Sequence, residues 1–382
     1  MSYRSGFFRG MARLLLPGVG ALLLSGLTFA QSNAPATSPV VHPDRTITFR
    51  FQASNAKEVF LALEGTPRLP MQKGSDGVWS VTTRPLSPDY YGYSFIADDV
   101  RYLDPANPVM KPNLLNTTSM ILVADGQQIW EPRNVPRGSV NQHFYRSAAA
   151  AHMRDYFVYT PPGYRPDTPN AYPVLYLLHG FSDDARGWTQ VGQAHVILDN
   201  LLAEGKIRPM VVVMPLGYGT MAVLNSTPGV PRDPAIGRRN ISQFRTTLLE
   251  EVIPQVESLY NVRKDRAGRA LAGLSMGGAE TLFTALNFPE RFLYVGAFSS
   301  GGVSSNYSET FSQIGAIKKY PFQLLWIACG VDDRLIEANR QFSSWLKEQQ
   351  IPHEYVETEG AHTWMVWRRY LATFTQKIFP KE

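Results

Sequence analysis

Cysteine is almost absent from this chain: Cys329 is the only one in 382 residues. No intrachain disulfide can form, so packing and hydrogen bonds must hold the fold. The sequence also lacks long runs of one charge sign and internal repeats. No Gly-x-Gly-x-x-Gly opens a helix in the manner of a dinucleotide-binding turn, no glycine-rich loop is shaped to cradle phosphate, and no His/Cys/Asp/Glu group has metal-ligand spacing. No cofactor and no metal are therefore expected. Charged residues are 18 % of the chain and the formal net charge is only +5. Three of those positive charges, Arg4, Arg9 and Arg13, fall in the first thirty residues, which hold no acid, so the remainder carries +2. The sequence pI of 9.1 is thus partly a property of the opening stretch, and nucleic acid is not an expected partner.

That opening stretch has the layout of a secretory signal. A basic segment precedes an apolar run over residues 14–27, and Thr28-Phe29-Ala30 offers small residues for cleavage after Ala30. The run is short for a bilayer span and Pro17-Gly18 breaks it, so stable membrane association after cleavage is not expected. Export without disulfides fits a periplasmic or secreted bacterial protein.

What the chain has in quantity is apolar residues, 44 %, enough for full cores in two domains. After a linker over residues 31–40 the apolar period is two. Ile47, Phe49 and Phe51 alternate with polar residues, as do Val59, Leu61 and Leu63, and further short strands lie around Trp79, at Tyr91, Tyr93 and Phe95, and over residues 119–123. Frequent turns and no helical stretch indicate a small β-sandwich over residues 41–124. A Pro- and Gly-containing linker, residues 125–143, leads to a different pattern over residues 144–382. Continuous apolar runs at residues 173–178 and 210–214 read as strands buried on both faces, and helical stretches alternate with strands to the end. The long helix predicted over residues 241–260 carries a kink at Pro254. This is the pattern of a mostly parallel sheet with helices on both faces.

The chemistry gathers on Gly273-x-Ser275-x-Gly277, which lies between a short apolar strand and a run of helix formers. Strand, sharp turn and helix around a central serine form a nucleophile elbow. A serine hydroxyl is a weak nucleophile without a base, and the base needs an orienting acid. Only His353 and His362 follow Ser275. His353 precedes the last strand, at the wrong end of the sheet, whereas His362 follows it, where ligands collect. The acid is expected after the strand ending near Cys329, where Asp332 and Asp333 both qualify and spacing does not separate them. Two backbone amides are needed for the oxyanion: that of Met276, next to the serine, and that of Phe181, after His179-Gly180. His179 reads as a residue that holds this loop. Trp188, Tyr218 and Trp364 are the aromatic candidates for substrate contact, with Arg238 and Arg239 as further candidates. Residues 217–239 form a long Gly-, Pro- and Arg-rich loop expected to cover the site.

Together, Val174-Leu-Tyr-Leu-Leu-His-Gly180, Gly273-Leu-Ser-Met-Gly-Gly278, Cys329-Gly-Val-Asp-Asp333 and Gly360-Ala-His362 resemble the esterase D/feruloyl esterase group. That group includes carbohydrate esterase family 1, enterochelin esterases and mycolyltransferases. The resemblance spans residues 145–380 and implies an α/β-hydrolase fold preceded by the small β-sandwich. The group's acid in Gly-x-x-Asp selects Asp333. The front domain is similar to immunoglobulin-like modules of the glycogen-branching carbohydrate-binding type, carried by Arg45-Thr-Ile-Thr-Phe-Arg50, Gly77-Val-Trp79 and Tyr91-Gly-Tyr-Ser-Phe95. The implied activity is that of an exported serine carboxylesterase. Its partner would be an ester-bearing carbohydrate or small molecule, such as a feruloylated or acetylated plant polysaccharide fragment. A siderophore esterase, an acyltransferase and a non-catalytic carbohydrate-binding protein are the alternatives.

Overall fold

In the computed structural model, the described residues are 37–225, 233–301 and 306–380. The signal sequence expected over residues 1–30 and part of the expected covering loop (residues 226–232) lie outside them.

An eight-stranded sheet carries the second half of the chain. Its strands, numbered in chain order, are β1 (Ser139–Arg146), β2 (Met153–Thr160), β3 (Val174–Leu178), β4 (Val211–Pro215), β5 (Arg269–Leu274), β6 (Tyr294–Phe298), β7 (Leu324–Gly330) and β8 (Glu354–Thr358). Their spatial order is β1-β2-β4-β3-β5-β6-β7-β8. β1 and β2 pair antiparallel, β2 pairs antiparallel with β4, and all further neighbours are parallel. β3 to β7 are buried along their whole length. They need no polar alternation because helices cover both faces. The period of two still sorts their side chains. Leu175, Leu177, Val212 and Met214 join one core, and Val174, Tyr176, Val211 and Val213 join the other.

The helices are α1 (Ala194–Ala203), α2 (Pro234–Thr246), α3 (Ile253–Leu259), α4 (Met276–Asn287), α5 (Tyr307–Thr310), α6 (Ile336–Glu348) and α7 (Trp364–Thr375). α1 and α7 contribute to the first core, and α2, α3, α4 and α6 to the second. The helical stretch expected over residues 241–260 starts earlier, at Pro234, with Asp233 capping its first turn. A wider π turn at Thr247–Val252 precedes Pro254, which stands in the first turn of α3. There its missing N–H breaks no intrahelical bond.

Two antiparallel sheets precede the large one. Val40–Val41, Ile47–Gln52, Val78–Thr82 and Gln72–Lys73 form the first. Leu69–Pro70, Val59–Leu63, Asp89–Ala97, Thr118–Val123 and Met110–Lys111 form the second, with Val100–Tyr102 added to Asp89–Ala97. Ile47, Phe49, Phe51, Leu61, Trp79 and Phe95 share one core between them. The strand Asp89–Ala97 is buried at every position because each face has a partner. Tyr91, Tyr93 and Phe95 point into the front core, while Tyr90, with Met120, belongs to the core that holds α7.

Residues 125–138, read as a linker, are pinned to α1. The Asn200 side chain donates to the Ile129 and Glu131 carbonyls at 2.8 and 2.9 Å, and the Gly138 amide donates to Asp199 at 2.9 Å. Trp130 is buried in the core beside them.

Candidate active site

The turn from β5 to α4 is set by two close approaches. A Cβ at Gly273 would lie 2.4 Å from the Gly277 carbonyl oxygen, and one at Gly277 would lie 2.5 Å from the His179 carbonyl oxygen. No side chain fits at either position, which accounts for the glycines flanking Ser275. Ser275 itself has φ 52° and ψ −113°, a conformation that costs a non-glycine residue on the order of 1–3 kcal/mol. Its amide donates to the Phe298 carbonyl at 2.8 Å, and its own carbonyl accepts the Gly301 amide at 3.0 Å. Neighbouring backbone on both sides therefore holds the strained residue at the mouth of the sheet.

His362 follows β8. Its Nε2 lies 2.9 Å from Ser275 Oγ and its Nδ1 lies 2.8 Å from Asp333 Oδ2. Trp367 stands edge-on against the imidazole, with centroids 4.8 Å apart. The second oxygen of Asp333 accepts the Leu335 amide at 2.9 Å. Burial pushes the Asp333 carboxyl upward, but the His362 imidazole and the Leu335 amide outweigh it and hold the group below its usual range. Asp332 is exposed and turned away. It exchanges bonds with Gly360 instead, its amide donating to the Gly360 carbonyl at 3.2 Å and its carboxylate accepting the Gly360 amide at 3.3 Å. Of the two adjacent aspartates, Asp333 faces the histidine and Asp332 ties down the loop that carries it.

The loop after β3 comes next to the serine. A Cβ on Gly180 would lie 3.4 Å from Ser275 Cβ, and Phe181, Ser275 and Met276 line the same cleft. His179 is fully interior. Its Nδ1–H donates to the Gly180 carbonyl and its Nε2 accepts the Gly217 amide, both at 2.8 Å. An amide can only donate, so this pair of bonds fixes one neutral tautomer. Burial lowers the imidazole to about 4, so it remains neutral and joins the loops after β3 and β4.

The three aromatic candidates for substrate contact are in the interior instead. Trp188 is 1 % exposed, and its indole N–H donates to the Leu178 carbonyl at 2.9 Å. Trp364 is 3 % exposed and meets Trp188 edge to face at 5.0 Å. Tyr218 is fully buried, with its hydroxyl donating to the Asp183 carbonyl at 3.1 Å. Each is core or brace, and their large apolar rings made the two uses indistinguishable in sequence.

The cleft, of about 1770 Å³, is walled by other residues, among them Val223, Arg238, Ile241, Phe283, Phe288 and Leu335. Arg238 and Ile241 come from α2, so part of the expected covering loop is helix. The Arg245 guanidinium, also on the cleft wall, lies 5.5 and 5.2 Å from the Phe283 and Phe288 rings. Of these, Arg238 is the one the sequence offered as a candidate, and it does line the cleft; the others were not singled out. The aromatics recurring along and just after α4 were the available signal. Among the described residues, no group of three or more His, Cys, Asp or Glu could hold a metal ion.

Comparison with known proteins is decisive for the family. Residues 147–378, well over half the chain, match the family described as "Putative esterase". The chain is a member of this esterase family. This esterase is 30 % identical over 349 residues to an endo-1,4-beta-xylanase/feruloyl esterase of Xylanibacter ruminicola, covering 89 % of the chain but only 46 % of that relative. It is 28 % identical to an acetyl esterase of Caldicellulosiruptor saccharolyticus, over 52 % of the chain and 80 % of the relative. The enterobactin esterase of Shigella flexneri shares the fold, with a TM-score of 0.62 at 18 % identity over 87 % of this chain and 92 % of that one. The esterase thus spans less than half the length of the Xylanibacter relative.

Proposed function

We propose that this esterase is an exported serine carboxylesterase that removes feruloyl or acetyl groups from plant polysaccharide fragments, with Ser275, His362 and Asp333 as its catalytic residues. The observation that carries the reading is the continuous chain from Ser275 Oγ through both ring nitrogens of His362 to Asp333, at 2.9 and 2.8 Å. The acyl groups come from the names of the Xylanibacter and Caldicellulosiruptor relatives. Export rests on the basic and apolar opening sequence.

In this mechanism Asp333 accepts Nδ1–H and leaves Nε2 free to accept the serine proton. Ser275 Oγ attacks the ester carbonyl carbon as His362 takes that proton. The Phe181 and Met276 amides receive the developing oxyanion, aided by the N-terminus of α4. The tetrahedral intermediate collapses, the bond to the alcohol oxygen breaks, and His362 returns the proton to the departing alcohol. Water, deprotonated by His362, then cleaves the acyl-serine, releasing the carboxylic acid and restoring the hydroxyl.

The front section, about residues 41–124, is proposed to be an immunoglobulin-like module of the glycogen-branching carbohydrate-binding type, ahead of a catalytic domain over residues 144–382. Trp79, Tyr93 and Phe95 are turned into its own core, which supports a docking role rather than stacking on a glycan.

Side-by-side turnover of methyl ferulate, acetylated xylan and a catecholate triester tests the substrate class. Preference for the first two is expected. Preference for the triester would replace the reading with siderophore hydrolysis, and ester exchange onto an added sugar in place of hydrolysis would replace it with acyl transfer.

A further inference from the structure

The loop that offers the Phe181 amide does not hold its shape alone. Ser182, the next residue, has φ 68°, a left-handed conformation that a serine adopts only at a cost. The contacts that hold it come from the front section. The Leu114 amide donates to the Ser182 carbonyl at 2.7 Å. The Asn113 side-chain amide donates both to Ser182 Oγ, at 2.9 Å, and to Asp183 Oδ1, at 3.1 Å. Its other atom, Oδ1, is engaged within its own turn and accepts the Leu115 and Asn116 amides at 3.0 Å each. One side chain thus closes a turn in the front section and clamps the two residues that follow Phe181. On the far side Tyr218 holds the Asp183 carbonyl.

We infer that Asn113 is a positioning residue for ester hydrolysis: from the front section it holds the Ser182 and Asp183 side chains, beside the Leu114 amide on the Ser182 carbonyl, and so steadies the loop that aims the Phe181 amide at the oxyanion. The inference rests on the proposed role of that amide. It gives the front section a part in the chemistry without any contact with substrate. An oxyanion donor acts only over hydrogen-bond distances, and small misplacements lower the rate steeply.

Two variants separate the functions of the side chain. Asn113→Asp keeps an oxygen for the Leu115 and Asn116 amides and removes the donors to Ser182 and Asp183. Asn113→Ala removes both. For the full chain, kcat and KM on a chromogenic acetate, the inhibition constant of phenylboronic acid as a tetrahedral mimic, and the melting temperature are measured together. Both variants should fold, with kcat lowered about tenfold to a hundredfold, KM little changed, and boronate affinity weakened in parallel with kcat/KM. If Asn113→Ala does not fold, Asn113→Asp decides. Unchanged kcat and boronate affinity in a folded variant, or unfolding of both variants, would overturn the inference. Failure of the underlying reading looks different: the wild-type protein would bind the boronate no better than Ser275→Ala, and the inference would fall with it.

Discussion

Arg368 of α7 reaches Asp89 of the front section at 2.5 Å, and both side chains are 1 % exposed. The same guanidinium donates to the Val191 carbonyl at 2.9 and 3.2 Å and lies 5.2 Å from the centroid of the Tyr90 ring. α7 begins two residues after His362, so this contact joins the front section to the segment carrying the proposed base. Removing one partner of a buried pair leaves the other charge poorly compensated, and Asp89 would keep only the half-exposed Arg369 guanidinium at 3.6 Å. Arg368→Met should therefore lower unfolding stability by about 3–5 kcal/mol, measured by urea denaturation. Adding Asp89→Leu should return part of the loss.

Asp332 and Asp333 differ in what they touch, which predicts unequal effects. Asp333→Asn replaces an acceptor facing Nδ1 with a group that can donate, and so favours the wrong tautomer. It should lower kcat about 10³- to 10⁴-fold with little change in KM. Asp332→Asn loses only a contact with Gly360 and should cost less than about tenfold. Steady-state kinetics on one chromogenic ester check both.

Trp364 tests the reassignment of the buried aromatics. Trp364→Ala opens a space beside Trp188 and should cost about 3–5 kcal/mol of stability. KM of the folded fraction should not change. A raised KM at unaltered stability would return Trp364 to the substrate.

Asp183 and His179 give opposing pH dependences. Burial raises Asp183 to about 7 and lowers His179 to about 4. Above the unfolded aspartate value of about 3.9 the unfolded chain releases a proton that folded Asp183 keeps up to about 7. This group therefore makes the fold lose stability as pH rises through that window, by up to about 1.4 kcal/mol per pH unit. His179 acts the other way: between about 6.5 and 4 the unfolded chain takes a proton that the folded chain refuses, so stability is lost as pH falls. Asp183→Asn removes the first effect alone. The difference in unfolding free energy, variant minus wild type, should rise from pH 4 to pH 7 and level off beyond. A flat difference would contradict the burial argument.

The parts of the site that were legible in the sequence are those fixed by local necessity. Gly273 is required by the Gly277 carbonyl within the turn, and Gly277, though its close neighbour is the distant His179 carbonyl, belongs to the same short strand–turn–helix pattern; β3 and β4 announce themselves as apolar runs. His362 followed from chain order, and Asp333 from the resemblance. What was hidden depends on distant partners. β1 is mostly exposed and polar, an edge strand with one neighbour, so no apolar period marks it and it read as the end of a linker. α2 opens with Pro, Gly and two arginines and read as loop. Trp188, Tyr218 and Trp364 carry no local sign of whether they face a cleft or a core. The Asn113 clamp and the Asp89–Arg368 pair join residues 69 to 70 and 279 positions apart, and neither end has a pattern of its own.

The central claim is that Ser275 is the nucleophile, and its most direct test is covalent. The protein is incubated with diethyl p-nitrophenyl phosphate and examined by intact-mass measurement and peptide mapping. One diethylphosphoryl group per chain, located on Ser275, with loss of ester hydrolysis and no labelling of Ser275→Ala, is the expected result. An unlabelled protein, or a label on another residue while Ser275→Ala still turns over ester, would contradict the account.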